Sequence, residues 1–130
     1  MLMALANAKA VNGAETVLDT MGFDKLIRGA DVVITGEGCF DGTSIRSGKA
    51  TGEVIRRAAQ AGALPVIIAG CLGEGWESVY EVSPEACVFS TVTEPSERSA
   101  LMETDAERLK KAAERAFRTL RSCMGRNLNG

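Results

Sequence analysis

The chain contains no histidine, and that absence removes several mechanisms at once. A Ser–His–Asp triad cannot be completed within it, and any general base must be Asp, Glu, Lys, Cys or Tyr. The four cysteines, Cys39, Cys71, Cys87 and Cys123, form no CxxC pair. Without histidine they offer no ligand set with structural-zinc spacing, and they read as reduced thiols. Aromatic residues make up only 5% of the chain, so a core has to be built from Val, Ile, Leu and Ala. No apolar run approaches the ~20 residues needed to cross a bilayer. Neither sign of charge dominates: 15 basic residues stand against 17 acidic ones, interspersed, for a net charge of −2. That balance argues against a nucleic-acid surface. The opening Met1-Leu-Met-Ala-Leu-Ala-Asn-Ala8 resembles a secretion signal in its last three residues. It lacks a basic leading region and a full apolar stretch, so it reads as part of a helix, and the expected location is the cytoplasm.

What is present fits one globular domain. The 130 residues are 45% apolar and 25% charged. Ala14 to Met21 has the spacing of a short helix with Val17, Leu18 and Met21 on one face and Gly22 as its stop. A helical turn at Phe23 to Ile27 follows, closed by Gly29. Three apolar, β-branched runs then read as strands buried on both faces: Asp31 to Thr35, Val66 to Ala69 after Pro65, and Ala86 to Ser90. Between them lie a helix over Gly52 to Ala61, with Thr51 as its N-cap and a stripe of Val54, Ile55, Ala58 and Ala59, and a short helix over Trp76 to Glu81. Gly62 ends the first of these. Glu94 to Met102 is loop-like. A long amphipathic helix follows from Thr104, which has capping-box spacing with Glu107. Its apolar face is Leu109, Ala113, Ala116, Leu120 and Cys123, with basic residues mostly outside it and a frayed tail from Gly125. Alternating strands and helices predict an α/β fold, a three-layer Rossmann-like or flavodoxin-like parallel sheet. Three strands are few for such a layer, which points to a partial domain that needs another copy or a further segment.

In an open α/β sheet, ligands bind beyond the carboxyl ends of the strands. Two Gly-rich segments fall there, a loop from Gly36 to Lys49 and a turn from Gly70 to Gly75, and adjacent parallel strands would bring them together. Gly36 and Gly38 would let backbone approach an anion, the N–H groups ahead of the Thr51 helix would face it, and Lys49 would add a positive charge. Glu37 and Asp41 could hold Mg²⁺ or accept a hydroxyl proton. This is the equipment of phosphoryl transfer. The stretch does not match the P-loop pattern, because Gly42 to Lys49 is followed by Ala50. Two simpler readings stand beside it: the glycines only turn the chain, and Asp41 is only a turn-forming residue.

The segment Ala30-Asp-Val-Val-Ile-Thr-Gly-Glu-Gly-Cys-Phe-Asp-Gly-Thr-Ser-Ile-Arg-Ser-Gly-Lys49 resembles the signature of the bacterial-type glycerate kinases. Val17-Leu-Asp19, Gly22-Phe-Asp24, Pro65 to Gly70 and Leu72 to Gly75 agree with the flanking family segments, and the resemblance runs from about Ala14 to Leu120. Three features depart from it. Cys39 stands where the family has arginine, Thr43 stands where it has glutamine, and an extra residue falls near Arg46-Ser47. The resemblance implies a C-terminal part of a larger two-domain protein that uses ATP and Mg²⁺ to phosphorylate D-glycerate, giving 2-phosphoglycerate. It implies Asp41, Lys49 and Glu37 as catalytic residues, with Glu37 and Asp41 near the metal. Gly36, Gly38, Ser44, Gly48, Gly70 and Gly73 would face substrate or phosphate. Two other functions remain open: a non-catalytic half-domain stable as a homo-oligomer or with its missing N-terminal half, and a nucleotide-binding regulatory module.

Overall fold

In a computed structural model, the structure describes residues 12–92 and 105–127. The readings of Met1 to Ala8, of the loop Glu94 to Met102 and of Thr104 lie outside the described residues. The chain begins with helix α1 (Gly13–Met21) and helical turn α2 (Phe23–Leu26). Strand β1 (Val32–Phe40), short helix α3 (Gly42–Arg46) and helix α4 (Ala50–Gln60) follow. Strand β2 (Leu64–Leu72) leads into a 3₁₀ turn (Trp76–Ser78), helical turn α5 (Val79–Val82), strand β3 (Cys87–Ser90) and long helix α6 (Asp105–Asn127). The three strands form a parallel sheet in the order β1–β2–β3. Among the described residues, no helix is long and apolar enough to cross a membrane.

The layers follow from where each element hides its apolar side chains. On one face of the sheet, Ile55 of α4 packs with Ile67 and Ala69 of β2 and with Phe40, Ile45 and Val79. On the same face Ala58 meets Val33 and Ile27, with Phe23 and Val54 against them. On the opposite face, Ala116 and Leu120 of α6 lie against Val66, Val32, Leu64, Cys87 and Phe89. The result is the partial three-layer α/β arrangement that the alternating pattern predicts.

Two of the strands differ from the expectation of burial on both faces. Only β2, the middle strand, has a mostly buried run, with Pro65, Val66, Ile67 and Ala69 buried. In β1 burial alternates, and Ile34 is 50% exposed, because α6 lies over β2 and β3 and reaches β1 only at Val32. The strands are also longer than the apolar runs. β1 continues through Gly36-Glu37-Gly38 to Phe40, and β2 through Gly70 to Leu72. The glycines there do not break the ladder. Gly36 pairs with Ile68, and a Cβ on Gly36 would collide with the Ile68 carbonyl oxygen, so glycine is what this closeness of the two backbones requires.

Helix limits shift for local reasons. Lys49, not Thr51, is the N-cap of α4, and the Thr51 hydroxyl, one turn in, donates to the Gly36 carbonyl at 3.5 Å. In α1, Leu18 is buried, but Val17 and Met21 face outward. In α6, Ala112, Ala116 and Leu120 make the buried line, whereas Leu109 and Cys123 are exposed. On the same helix the Arg115 guanidinium donates to the Ser90 carbonyl at 2.8 Å, so part of the basic side meets the end of β3. The helix also runs through Gly125 to Asn127, where a frayed tail is expected from sequence.

A buried arginine joins the layers of one face. Arg57 of α4 makes ion pairs with Asp19 at 2.7 Å, Glu53 at 2.9 Å and Asp24 at 3.4 Å. It thereby ties α1 and α2 onto α4. Its Glu53 and Asp19 partners hold the guanidinium even more firmly protonated than usual.

Gly36→Ala places a methyl group on the Ile68 carbonyl, an overpacking that should cost about 1–3 kcal/mol. Gly38→Ala meets nothing within 4 Å, so it should change stability by less than about 0.5 kcal/mol. Urea unfolding of the two variants checks both figures.

Candidate active site

The site begins where β1 and β2 end. Beyond their last register pair, Phe40 with Leu72, the two chains stay bonded. The Gly73 N–H donates to the Phe40 carbonyl at 2.8 Å, and the Gly42 N–H donates to the Glu74 carbonyl at 3.0 Å. The two Gly-rich segments therefore meet, as the topology predicts. What sequence reads as one long loop is mostly regular: β1 extends to Phe40, and α3 occupies Gly42–Arg46. Sequence reasoning missed α3 because its five residues, Gly-Thr-Ser-Ile-Arg, carry no periodic apolar stripe.

Asp41 makes α3 possible. Its Oδ1 accepts from the Thr43 N–H at 2.8 Å, the Thr43 hydroxyl at 2.6 Å and the Ser44 N–H at 3.1 Å. The Asp41 N–H in turn donates to the Ser44 Oγ at 3.2 Å, which completes a capping box. These bonds, led by the one from the Thr43 hydroxyl, hold the Asp41 carboxyl below the usual carboxylate range, and Lys49 adds to the effect. Asp41 is thus kept ionised. Its Oδ1 is committed to the helix end, and its Oδ2 points toward Gly73, where a Cβ would stand 2.8 Å from the Asp41 Cβ and 3.6 Å from the Cys39 Sγ. A side chain at position 73 would drive the turn away from Asp41. Ser44 is fully buried and its hydroxyl is engaged with Asp41, so it is not presented to a ligand.

Glu37 is different. It lies in β1 beside Ala69, and its Oε1 is buried without a hydrogen-bond partner. A buried carboxylate oxygen left unpaired is costly. Lys49 is exposed at the first turn of α4, where the helix dipole favours anions. Gly48, just before it, has φ +64° and sits against the Asn12 side chain. Gly36 accepts from Thr51, and Gly38 lies opposite Gly70, close enough that a Cβ on Gly70 would strike the Gly38 carbonyl. The structure thus brings Gly36, Glu37, Gly38, Asp41, Gly70 and Gly73 to one end of the sheet, with Gly48 and Lys49 at the start of α4.

Arg46 is pinned nearby. Its Nε donates to the Gly42 carbonyl at 3.1 Å and its guanidinium lies over Gly42 and Gly75. The ion-pair cluster on α4 was missed in the sequence, although Glu53 and Arg57 carry the i, i+4 spacing that signals it. Two cavities of about 330 and 320 Å³ lie elsewhere, one around Ala63, Pro65 and Ser83 and the other around Asp31, Leu64 and Leu120.

A family model described as "Glycerate kinase family" matches residues 1–121. The chain belongs to the glycerate kinase family. Among its relatives, a glycerate kinase of Halalkalibacterium halodurans is 42% identical over 91 residues, which is 70% of this chain and 23% of the relative. One of Haemophilus influenzae is 33% identical over 119 residues, 92% of this chain and 31% of the relative. A third, of Bacillus cereus, is 40% identical over 96 residues, 73% of this chain and 24% of the relative. The chain therefore spans about a quarter to a third of the length of these family members.

The capping role of Asp41 gives a pH prediction. Its folded-state value is lowered, so its contribution is fully present above the unfolded value, near pH 4. It is lost as pH falls through the folded value. Asp41→Ala should lower the urea midpoint at neutral pH, whereas Asp41→Asn keeps the cap. Asp41→Asn should also flatten the acid side of the stability profile. Urea melts across pH check both variants.

Proposed function

We propose that this chain supplies the acidic and phosphate-facing side of a glycerate kinase site, at which ATP phosphorylates D-glycerate to 2-phosphoglycerate. The observation that carries this reading is the partnerless, buried Oε1 of Glu37 at the carboxyl end of β1. Family membership supports the phosphoryl acceptor, and the donor set supports the metal: hard carboxylate oxygens suit Mg²⁺. Glu37 and the Oδ2 of Asp41 would hold the ion, which neutralises charge on the transferring phosphoryl group. Glu37 or Asp41 would accept the proton of the substrate hydroxyl. Asp41 keeps its negative charge across the working pH range and orients the first turn of α3. Lys49 and the N–H groups opening α4 face the phosphate, and Gly36, Gly38, Gly48, Gly70 and Gly73 keep side chains out of its way.

A second reading rests on a separate observation. Among the described residues β1 has no strand on its outer edge, its Ile34 is half exposed, and the chain spans only part of its relatives. On that reading the chain is a half-domain that works with a second copy or with the remainder of a longer kinase, since a cleft cannot close around one wall.

ATP-dependent phosphorylation of D-glycerate by the purified chain separates the two. The first reading expects Mg²⁺-dependent turnover, reduced about 100-fold by Lys49→Met or Glu37→Gln. The Glu37→Gln protein should melt no lower than the parent, because the orphaned carboxylate is gone. No turnover, together with a melting temperature that rises with protein concentration, is the expectation of the second.

A further inference from the structure

We propose that Cys39 and Cys71 are a modification site, a thiol pair that closes reversibly to a disulfide across the carboxyl ends of β1 and β2. This goes beyond the phosphoryl-transfer reading and does not depend on it. The two residues are direct register partners on neighbouring parallel strands, and both are exposed, free thiols. Adjacent strands stand about 4.8 Å apart, and register partners on parallel strands project to the same face. That spacing falls inside the Cα separation of about 4.4–6.8 Å that a disulfide accepts. The other two cysteines lack this relation: Cys87 is half-buried on β3 and Cys123 lies on α6.

With a small alkyl hydroperoxide as oxidant, one sulfur of the pair, as its thiolate, attacks the terminal peroxide oxygen. The O–O bond breaks, the alkoxide takes a proton and leaves as the alcohol, and that cysteine becomes a sulfenic acid. The sulfur of its register partner then attacks the sulfenic sulfur, the S–O bond breaks, and the departing hydroxide takes the partner thiol's proton as water. Two thiols and one hydroperoxide give one disulfide, one alcohol and one water. Two electrons pass from the sulfurs to the peroxide. An external dithiol reverses the oxidation by exchange. Oxidation ties the two strands at the end that carries Asp41 and Gly73, next to the turn they share.

The test treats the intact chain with tert-butyl hydroperoxide, blocks the remaining thiols with iodoacetamide and maps the peptides without reduction. The expected result is a loss of two of the four free thiols, with one linked peptide pair that contains Cys39 and Cys71. Dithiothreitol should restore all four. A Cys87→Ser, Cys123→Ser double variant should lose both of its remaining thiols, whereas Cys39→Ser or Cys71→Ser should give no intrachain link. A link between Cys87 and Cys123, links only between separate chains, or over-oxidation of Cys39 and Cys71 without a link would each overturn the proposal.

Discussion

The parallel pairing of β1 with β2 is the interaction on which the site depends. The ladder runs from Val32 with Leu64 to Phe40 with Leu72, and two further backbone bonds, Gly73 to Phe40 and Gly42 to Glu74, carry it past the strands. Without those two bonds the turn after β2 would not sit against Asp41, and α3 would lose the chain that frames its first turn. Glycines at 36, 70 and 73 permit this closeness, because a Cβ at any of them would meet backbone or the Asp41 side chain. The surface at this end of the sheet is therefore a by-product of strand pairing and not a loop folded on its own.

This explains both what was legible in the sequence and what was not. The three strands, the α4 helix and the convergence of the two Gly-rich segments follow from hydrophobic pattern and topology. The ends of the strands do not. Glycine at positions 36, 38 and 70 reads as a breaker, and only the neighbouring backbone shows that it is an accommodation inside a ladder. Asp41 carried two readings, a turn-forming residue and a catalytic one, and the structure shows the local role in full through Thr43 and Ser44. Thr43, set apart in the sequence as a departure from the family pattern, has its hydroxyl in that same box. Ser44 was read as a ligand to phosphate, yet it is closed inside the box, a fact that depends on helix α3 and not on residue type. The burial of Glu37 had no sequence signal, since an acidic residue between two glycines reads as solvent-facing.

The face of the sheet on the α6 side shows the same limit of pattern reasoning. An apolar run with no alternation reads as a strand covered on both faces, and for β2 that holds. For β1 it does not, because coverage is set by where α6 crosses and not by the strand's own residues. Ile34 is apolar and half exposed on the same strand that carries Glu37. The strand that carries Glu37 thus also leaves an apolar position uncovered, in a chain that matches a quarter to a third of the length of its relatives.

Arg57 has a consequence for how the molecule loosens. Helices α1 and α2 are fastened to α4 through one guanidinium, whose partners Asp19 and Asp24 are mostly in water, and through the side chains of Ile27 and Phe23. Ions in solution weaken the exposed half of that fastening while leaving the β1–β2 ladder untouched. The amino-terminal helices should therefore exchange their amide hydrogens faster as the salt concentration rises. When α1 lifts, Asn12 leaves Gly48, and the residue ahead of Lys49 loses the neighbour that frames its left-handed turn. Ionic strength is thus coupled, through a single arginine, to the setting of Lys49.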